Sequence, residues 1–397
     1  MSQLKSVKQL DVRGKRVLVR VDYNVPLDNG TVTDDTRLTA SLPTLHYLRE
    51  QKARIILISH LGRPKGKPDP KYSLAPVARR LGMLLKTPVE FVSDCIGPGV
   101  ETAVKNLKEG NLVLLENLRY YPHEEKNDVQ FAKDLAKNAD FFVQDAFGAV
   151  HRAHASTAQL PALLPSAAGF LLSKELEFLG KVRGNPAKPF VALVGGAKVS
   201  DKISVLEKLL DKVDTLAIGG AMAYTFLLAQ KIPVGKSLVE TDKLDMARSL
   251  IDKAKTKGIS LLLPRDHMIV KDVKDEASAT YTEDPSIPGD WLGVDIGPNS
   301  IQHLAGPIQS AKTLFWNGPM GIFEIERYSR GTMEVARMAA QAAQKGTTVV
   351  IGGGDSVAAV QSAGVADQIT HISTGGGASL EFLEGKTLPG VAALPTI

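Results

Sequence analysis

Side chains that can bind phosphate follow short apolar runs in the first half of the chain. They are arginines, histidines and asparagines. Together with aspartates they occupy the stretches 22–24, 60–64, 117–119 and 145–154, and Arg37 lies between the first two. A guanidinium presents a planar fork of donors that matches phosphate and carboxylate oxygens. One such arginine usually lies on the solvated surface, but four at or near strand ends predict a polyanion site. Asp22 cannot bind an anion directly, so we expect it to accept a hydroxyl or to orient a neighbouring arginine.

Glycines stand at the corresponding points of the second half and indicate a phosphate site made of backbone N–H groups. Residues 195–198 (Gly-Gly-Ala-Lys) follow an apolar run and are predicted to open an amphipathic helix, whose dipole favours anions at that end. Lys198 and Lys202 would then lie one turn apart on the same face. Triple-glycine turns at 352–354 and 375–377 follow later runs, and Asp355 is placed to bind a magnesium ion that neutralises phosphate.

Several other kinds of catalytic site are disfavoured by the sequence. His151 and His154 have a spacing that suits metal binding on a helix, but no third ligand is evident, so a phosphate contact or a structural hydrogen bond is preferred. Residues 235–237 (Gly-Lys-Ser) resemble the end of a Walker A motif, yet the glycine required five residues earlier is Gln230. The sequence has no dinucleotide fingerprint, serine elbow or H-E-x-x-H motif, which argues against dehydrogenases and hydrolases.

Buried parallel strands must position these residues, because ligands of doubly wound sheets bind beyond the carboxyl ends of the strands. Apolar, β-branched runs alternate with stretches of helical periodicity, which predicts an α/β fold with sheets covered on both faces. A helix over 162–183 is predicted to connect two domains; the alternative is a crossover helix inside one sheet, which so many strands would strain. The predicted strands are 16–21, 55–59, 89–92, 112–116, 141–144, 190–194, 215–218, 261–263, 313–316, 349–351 and 371–373.

Composition limits the class of protein further. The chain has 397 residues, 44% of them hydrophobic and 23% charged, which suits a globular protein of two or three domains. The net charge of +5 is a mild excess that fits small anionic ligands better than nucleic acid. Because Cys95 is the only cysteine, we expect neither an intrachain disulfide nor a cysteine-rich metal site, and a cytoplasmic location. We expect no signal peptide and no membrane-spanning run.

A resemblance to a known family extends over essentially the whole chain. It is carried by seven stretches in the same order, at 20–26, 60–64, 145–154, 195–202, 316–324, 352–355 and 373–390. In these stretches the chain resembles the phosphoglycerate kinases. The resemblance implies two Rossmann-like α/β domains with mainly parallel sheets, joined by a hinge helix. Residues 1–170 would bind 3-phosphoglycerate, residues 171–384 would bind the nucleotide, and the tail 385–397 would pack back on the first domain.

The resemblance also implies a role for each site residue. The phosphoglycerate site would consist of Asp22, Asn24, Arg37, His60, Arg63, Arg119 and Arg152. The nucleotide site would consist of Gly195, Ala197, Lys202, Gly220, Gly293, Asn317, Pro319, Glu324, Gly353, Gly354, Asp355 and Ser356. Within it, Glu324 would contact the ribose and Asp355 would hold Mg²⁺. The catalytic groups on the migrating phosphoryl unit and the nucleotide phosphates would be Arg37, Lys198, Lys202, Gly353, Gly375 and Gly376.

The implied enzyme is a glycolytic phosphotransferase that moves the acyl phosphate of 1,3-bisphosphoglycerate to MgADP, reversibly, giving 3-phosphoglycerate and MgATP. Its nucleophiles are anionic at neutral pH, so catalysis would come from domain closure, alignment and charge neutralisation without a general base. We expect a monomer that binds neither nucleic acid nor membranes. Two alternatives are a catalytically silent family member, which the presence of Arg37, Lys198, Lys202 and Asp355 disfavours, and a kinase for another acyl phosphate, which needs fewer arginines.

Overall fold

The chain folds into two compact units. In this computed structural model, which describes residues 3–397, the first unit comprises residues 3–177 and 386–397, and the second comprises Phe178–Gly385. The division falls inside a helix, whereas the boundary expected from the sequence lies between residues 170 and 171. None of the helices within residues 3–397 combines the length and the hydrophobicity that crossing a bilayer demands.

A parallel sheet forms the centre of the first unit. The strands are β1 (Arg16–Arg20), β2 (Leu27–Asp28), β3 (Thr31–Val32), β4 (Arg54–Ile58), β5 (Val89–Val92), β6 (Leu112–Leu115), β7 (Phe141–Gln144) and β8 (Ser166–Ala168). The helices are α1 (Thr36–Glu50), α2 (Ala75–Leu85), α3 (Pro98–Asn106), α4 (Pro122–Glu125), α5 (Val129–Ala136), α6 (Leu160–Leu163) and α7 (Phe170–Arg183). The sheet has the order β5-β6-β4-β1-β7-β8, and β2 and β3 form a separate antiparallel pair. Val17 and Val19 pack into one apolar cluster and Leu18 into another, because helices cover both faces.

The second unit contains a parallel sheet and a smaller antiparallel one. The strands are β9 (Phe190–Val194), β10 (Thr215–Ile218), β11 (Ser260–Leu262), β12 (His267–Val270), β13 (Thr280–Tyr281), β14 (Leu292–Ile296), β15 (Thr313–Asn317), β16 (Thr348–Gly352) and β17 (His371–Ile372). The helices are α8 (Ile203–Leu209), α9 (Met222–Ala229), α10 (Leu244–Thr256), α11 (Pro298–Ser310), α12 (Arg330–Gln344), α13 (Gly354–Ser362) and α14 (Gly377–Leu383). The parallel sheet has the order β11-β10-β9-β15-β16-β17, which is the order usual in Rossmann folds, and the antiparallel sheet has the order β13-β12-β14. The α/β prediction is therefore confirmed.

The carboxyl-terminal segment 386–397 lies in the first unit. Its short helix α15 (Pro389–Ala392) packs on the loop after β7, where the Gly390 N–H donates to the Val150 carbonyl at 2.9 Å. Further on, the Pro395 carbonyl accepts the Lys5 N–H at 3.0 Å. These bonds join the two ends of the described chain within one unit.

Two local predictions from the sequence are wrong, and one sheet was not predicted. The predicted helix over 162–183 is interrupted, because residues 166–168 form β8 beside β7 and α7 begins only at Phe170. Small residues in this stretch let it join the sheet edge. The antiparallel sheet of the second unit was not predicted, since its strands are short and interrupted by polar residues. The helix expected to open at 195–198 begins instead at Ile203, so residues 195–202 form an irregular loop.

Asp145, directly after β7, is a buried carboxyl group that caps the first turn of α7. It accepts the Leu172 N–H at 3.1 Å. A Cβ atom at Gly169 would lie less than 3.0 Å from the Asp145 carboxyl group, so the backbone approaches the carboxylate as closely as glycine permits. Burial raises the pKa of Asp145 to about 7, against the hydrogen bonds from Thr44 and the α7 backbone.

We expect Asp145→Asn to become more stable relative to the wild type as the pH rises. A raised folded-state pKa means that the folded protein binds more protons than the unfolded chain between about pH 4 and pH 7, so wild-type stability falls across that window. The difference in unfolding free energy between the variant and the wild type should shift in the variant's favour by about 2 to 3 kcal/mol from pH 5 to pH 8. Urea unfolding at both pH values measures it, with exposed Asp28→Asn as the matched control. A pH-independent difference for Asp145→Asn would contradict the assignment.

Candidate active site

The carboxyl ends of β1, β4, β6 and β7 bring polar loops to one edge of the first sheet. The direction of strand addition reverses at β1, which lies between β4 and β7, and such a switch point opens a crevice beside the strand ends. Asp22, His60, Asn117 and Asp145 all follow these strands within two residues. This edge is therefore where the sheet topology favours a ligand.

Asp22 and Arg37 form an ion pair at this edge. Arg37 lies in the first turn of α1, and its Nη1 is 2.7 Å from Oδ2 of the buried Asp22 carboxylate. The Asn24 N–H also donates to Asp22, at 3.3 Å. The Arg37 side chain keeps 30% of its surface exposed, so the contact orients the guanidinium without burying it.

Gly62 is the point where the loops after β1, β4 and β6 meet. Its N–H donates to the Asn24 Oδ1 at 2.8 Å, and its carbonyl accepts the Arg119 Nη1 at 2.8 Å. The Gly62 φ of +59° lies in the left-handed region, and a Cβ there would collide with the Tyr72 ring, so glycine is required. Asn24 and Arg119 are thereby fixed relative to the 60–64 loop.

His60 rests on the fully buried guanidinium of Arg20. The Arg20 Nη2 is 3.1 Å from the His60 Nδ1, and the Arg20 Nε donates to the Ser156 Oγ at 2.9 Å. Burial, together with the positive charges of Arg20, Arg119 and Arg37, holds the pKa of His60 well below its ordinary value. His60 is therefore neutral at pH 7. Because a guanidinium only donates, Nδ1 accepts from it and the ring proton resides on Nε2.

Several guanidinium groups of this unit lie close enough to influence one another. Burial lowers the pKa of Arg119; Glu125 opposes this shift, and the charges of Arg20 and Arg152 reinforce it. The Arg119 Nε is 3.3 Å from a Glu125 oxygen. Arg63 and Arg152 are exposed. The structure thus connects five of the predicted residues through direct contacts or through the effect of their charges on one another: Asp22, Asn24, Arg37, His60 and Arg119. The charge of Arg152 also reaches this cluster. Arg63 lies on the exposed side of the 60–64 loop.

Sequence reasoning missed the buried groups beneath this cluster. Glu124 accepts the Ser156 N–H at 2.9 Å and the Ser156 hydroxyl at 2.5 Å, and Ser156 in turn holds Arg20. Burial raises the pKa of Glu124, and the charge of Arg20 opposes that shift. The available signal was an arginine at the end of an otherwise apolar strand, because arginine is rarely buried without a partner. Glu124 carries no comparable signal in the sequence.

Neither histidine of the 151–154 segment belongs to a metal cluster within residues 3–397. His154 is buried near Glu124, with 4.0 Å between its Nδ1 and the nearest carboxylate oxygen, and burial lowers its pKa to about 4.

In the second unit, three glycine-containing turns pack backbone against backbone at the carboxyl ends of β9, β10 and β15. The Gly195 N–H donates to the Asn317 carbonyl at 2.9 Å. A Cβ at Gly195 would lie less than 3.0 Å from the carbonyl oxygens of Gly318 and Pro319, and a Cβ at Gly220 would lie 3.0 Å from the same Pro319 oxygen. The switch point of this sheet lies between β9 and β15. Glycine is required here because main chains, rather than side chains, form the floor of the crevice.

Asn317 links this floor to the first triple-glycine turn. Its Oδ1 accepts a hydrogen bond from the Lys202 ammonium, and its Nδ2 donates to the Gly352 carbonyl at 2.7 Å. Gly353 follows with a φ of +94°, and the Gly318 N–H donates to the Ser356 hydroxyl at 2.6 Å. Burial lowers the pKa of Lys202, while Asp201 and Asp355 act to raise it. Lys202 and Asp355 are therefore electrostatically coupled.

Asp355 is an exposed carboxylate in the first turn of α13. It suits a magnesium ion that substrate phosphates also bind better than an ion held by protein side chains alone. Within residues 3–397 no three acidic, histidine or cysteine side chains gather into a metal cage. Mg²⁺ typically keeps several waters and binds one or two carboxylates together with substrate phosphates. A single oxygen ligand beside a glycine turn fits that coordination.

Other predicted nucleotide residues lie at the edges of this arrangement. Ala197 and Lys198 are exposed in the 195–202 loop, and Glu324 is exposed after β15. Gly293 lies on β14 and approaches the hydroxyl of Tyr224 on α9 too closely for any side chain. Gly375 donates from its N–H to the Ser373 Oγ at 3.1 Å, and Gly376 adopts a φ of +49° just before α14. The residues in contact with one another are Gly195, Lys202, Gly220, Asn317, Pro319, Gly353 and Ser356, with Gly354 and Asp355 next in the chain.

Residues 235–237, which resemble a Walker A motif, have a structural role. Gly235 has a φ of +54°, and the Lys236 N–H donates to the Trp291 carbonyl at 2.7 Å. The Ser237 Oγ accepts the Gly293 N–H at 2.9 Å. No helix follows these residues directly, as one would in a phosphate-binding loop.

An arginine cluster at the edge of one doubly wound sheet and a crevice floor built of glycine turns at the other are typical of a kinase whose two substrates both carry phosphate. A family model described as phosphoglycerate kinase matches residues 7–386. The chain is 57% identical to the phosphoglycerate kinase of Moorella thermoacetica over 389 residues, covering 98% of both chains. The chain belongs to the phosphoglycerate kinase family.

Solved structures agree with this assignment. The structure of phosphoglycerate kinase from Coxiella burnetii is 42% identical to this chain, with a TM-score of 0.87 and 98% of both chains covered. The enzyme from Pyrococcus horikoshii is 32% identical with the same TM-score of 0.87 and the same coverage.

Proposed function

We propose that this protein catalyses the reversible transfer of the acyl phosphate of 1,3-bisphosphoglycerate to MgADP, giving 3-phosphoglycerate and MgATP. The observation that carries the proposal is the cluster of Arg37, His60 and Arg119 around buried Asp22 and Arg20, in a chain of this family. A triose ligand with a carboxyl group and a remote phosphate uses such a cluster fully. Acetyl or carbamoyl phosphate, which lacks a second phosphate, does not.

In the first unit we assign phosphoglycerate binding to Asp22, Asn24, Arg37, His60, Arg63, Arg119 and Arg152. The ion pair with Asp22 supports a fixed orientation of Arg37, and the neutral His60 offers an Nε2–H donor. Exposed Arg63 and Arg152 would complete the charge around the remote phosphate.

In the second unit we assign nucleotide binding to Gly195, Ala197, Lys202, Gly220, Gly293, Asn317, Pro319, Glu324, Gly353, Gly354, Asp355 and Ser356. The glycine floor between β9 and β15 supports close approach of the nucleotide, and Lys202, whose ammonium group is held by Asn317, would neutralise its phosphates. Asp355 would hold Mg²⁺, which when bound neutralises the phosphate oxygens and orients them. Glu324 is assigned to the ribose hydroxyls.

The transfer needs no general base in this proposal. Both possible nucleophiles, a phosphate oxygen of ADP and the carboxylate of 3-phosphoglycerate, are anionic at pH 7. Arg37 and Lys198 would neutralise the equatorial oxygens of the migrating phosphoryl group, and the N–H groups of Gly353, Gly375 and Gly376 would complete its surroundings. Catalysis then rests on alignment and on charge neutralisation.

We further propose that α7 acts as a hinge that closes when both substrates bind. An acyl phosphate hydrolyses readily, so water has to be excluded from the reacting groups during transfer. Small-angle scattering should show a smaller radius of gyration with both 3-phosphoglycerate and a non-hydrolysable MgATP analogue than with either alone. The same data give the molecular mass and test the proposed monomeric state. The cytoplasmic location and the absence of nucleic-acid partners remain predictions from composition and family.

A coupled assay of ATP formation tests the function. We expect ATP from 1,3-bisphosphoglycerate and ADP in the presence of magnesium, and a large loss of rate when magnesium is chelated. Acetyl phosphate and carbamoyl phosphate, offered instead, should give negligible ATP. Nucleotide binding without ATP formation from any of the three acyl phosphates would favour the catalytically silent alternative.

A further inference from the structure

The loop 195–202 carries Ala197, Lys198 and Lys202, yet no regular secondary structure holds it. Its beginning is fixed by two bonds, from the Gly195 N–H to the Asn317 carbonyl and from the Met222 N–H to the Gly196 carbonyl, and at its end the Lys202 N–H donates to the Val199 carbonyl at 2.9 Å. None of these bonds attaches residues 197–201 to the rest of the unit. That attachment must come from elsewhere.

Glu240 supplies it. One carboxylate oxygen, Oε2, accepts the N–H groups of Val199 at 2.6 Å and Ser200 at 3.1 Å, and the other, Oε1, accepts the Ser200 hydroxyl at 2.5 Å. Two successive N–H groups that point to one side form a concavity for an anionic oxygen, which Oε2 fills. Burial acts to raise the pKa of Glu240, but the hydrogen bonds from Ser200 and Val199 outweigh it and lower the pKa, so the group is ionised at pH 7.

Glu240 is itself anchored near the glycine floor. Its N–H donates at 3.2 Å to the hydroxyl of Thr225, a buried residue of α9, and α9 begins two residues after Gly220. The carboxylate therefore connects the loop to the helix that leaves the nucleotide crevice. In the described part of the chain, the N–H groups of Ala197 and Lys198 donate to no other group, so they stay available to a ligand.

We propose that Glu240 is a positioning residue for phosphoryl transfer, which fixes the 195–202 loop so that Lys198 and the adjacent N–H groups point toward the nucleotide phosphates. The inference rests on the proposed function of that loop. Glu240 does not touch substrate; it acts through Val199 and Ser200. Removing its carboxylate should release the loop while leaving Lys198 and Lys202 chemically intact.

Three variants of the full-length protein test this inference. Glu240→Ala removes all three hydrogen bonds, Glu240→Gln keeps one oxygen acceptor for the N–H groups, and Glu207→Ala removes an exposed glutamate of neighbouring α8 as the matched control. We expect Glu240→Ala to lower kcat about 10- to 100-fold, Glu240→Gln to fall between it and the wild type, and Glu207→Ala to leave kcat unchanged. Hydrogen exchange at the Val199 and Ser200 amides should accelerate in the same order.

Two readouts separate the outcomes. Exchange at the wild-type rate in Glu240→Ala would overturn the inference, and so would faster exchange with unchanged kcat and unchanged KM for ADP. Global unfolding without restoration of activity by Glu240→Gln would assign Glu240 a purely structural role and also overturn it. If the wild type formed no ATP, the proposed function would fail, and exchange together with MgADP affinity measured by calorimetry would still decide whether Glu240 positions the loop.

Discussion

Replacing Lys198 by alanine is expected to lower kcat about 10³-fold or more, about 4 kcal/mol of transition-state stabilisation, while leaving the unfolding transition in place. Lys198 is exposed, and its ammonium group takes part in none of the hydrogen bonds or ion pairs recorded within residues 3–397, so the fold does not depend on it. A charge held on the equatorial oxygens of the phosphoryl group acts mainly in the transition state, and its loss therefore lowers kcat rather than substrate affinity.

Steady-state kinetics in the direction of ATP formation measure this effect. Lys208→Ala is the matched control, since Lys208 is an exposed lysine of α8 in the same unit. We expect the control to keep wild-type kcat and both variants to keep wild-type denaturant midpoints. Near-normal turnover of Lys198→Ala would refute the catalytic assignment, and an equal loss in both variants would point to a general charge effect.

Gly195→Ala should destabilise the second unit by about 3 kcal/mol and weaken MgADP binding. The added Cβ would lie less than 3.0 Å from the carbonyl oxygens of Gly318 and Pro319. Both are backbone atoms of a loop that directly follows β15, so no side-chain rotation relieves the collision. The turn must move, and the floor of the proposed nucleotide site moves with it.

Chemical denaturation and MgADP calorimetry on the same preparation test this prediction. Gly99→Ala serves as the control, because a Cβ at that exposed position of α3 meets nothing within 4 Å and no proline follows it. Alanine is also the better helix former, so the control should be as stable as the wild type or slightly more stable. Wild-type stability in Gly195→Ala would show that the β9 and β15 turns do not need their close approach.

The main strands could be predicted from sequence because burial on both faces leaves a continuous apolar run. The runs at 141–144, 190–194 and 215–218 coincide with the observed strands β7, β9 and β10. The short strand Ser166–Ala168 could not be predicted, because it consists of serine and alanine, and alanine favours a helix rather than a strand. Its position depends on pairing with β7, which no local pattern contains.

The candidate site was predictable where a charged or glycine residue directly follows a strand. Asp22, His60, Gly195 and Asn317 were found in this way. Groups that act through distant contacts were not, and Glu240 and Glu124 are examples: each holds a loop more than 30 residues away in the chain. Only the fold brings such acceptors to their donors.

The neutral imidazole above Arg20 has a consequence for the response of the protein to acidity. Since His60 already lacks its second proton well below pH 6.5, a moderate fall in cellular pH does not add a charge among the guanidinium groups. The acid–base behaviour of phosphoglycerate capture between pH 6 and pH 8 should then follow the second ionisation of the ligand's own phosphate. An imidazole that titrated in this range would instead make the protein a sensor of metabolic acid; burial of the His60 ring, together with the positive charges around it, keeps its pKa below that range.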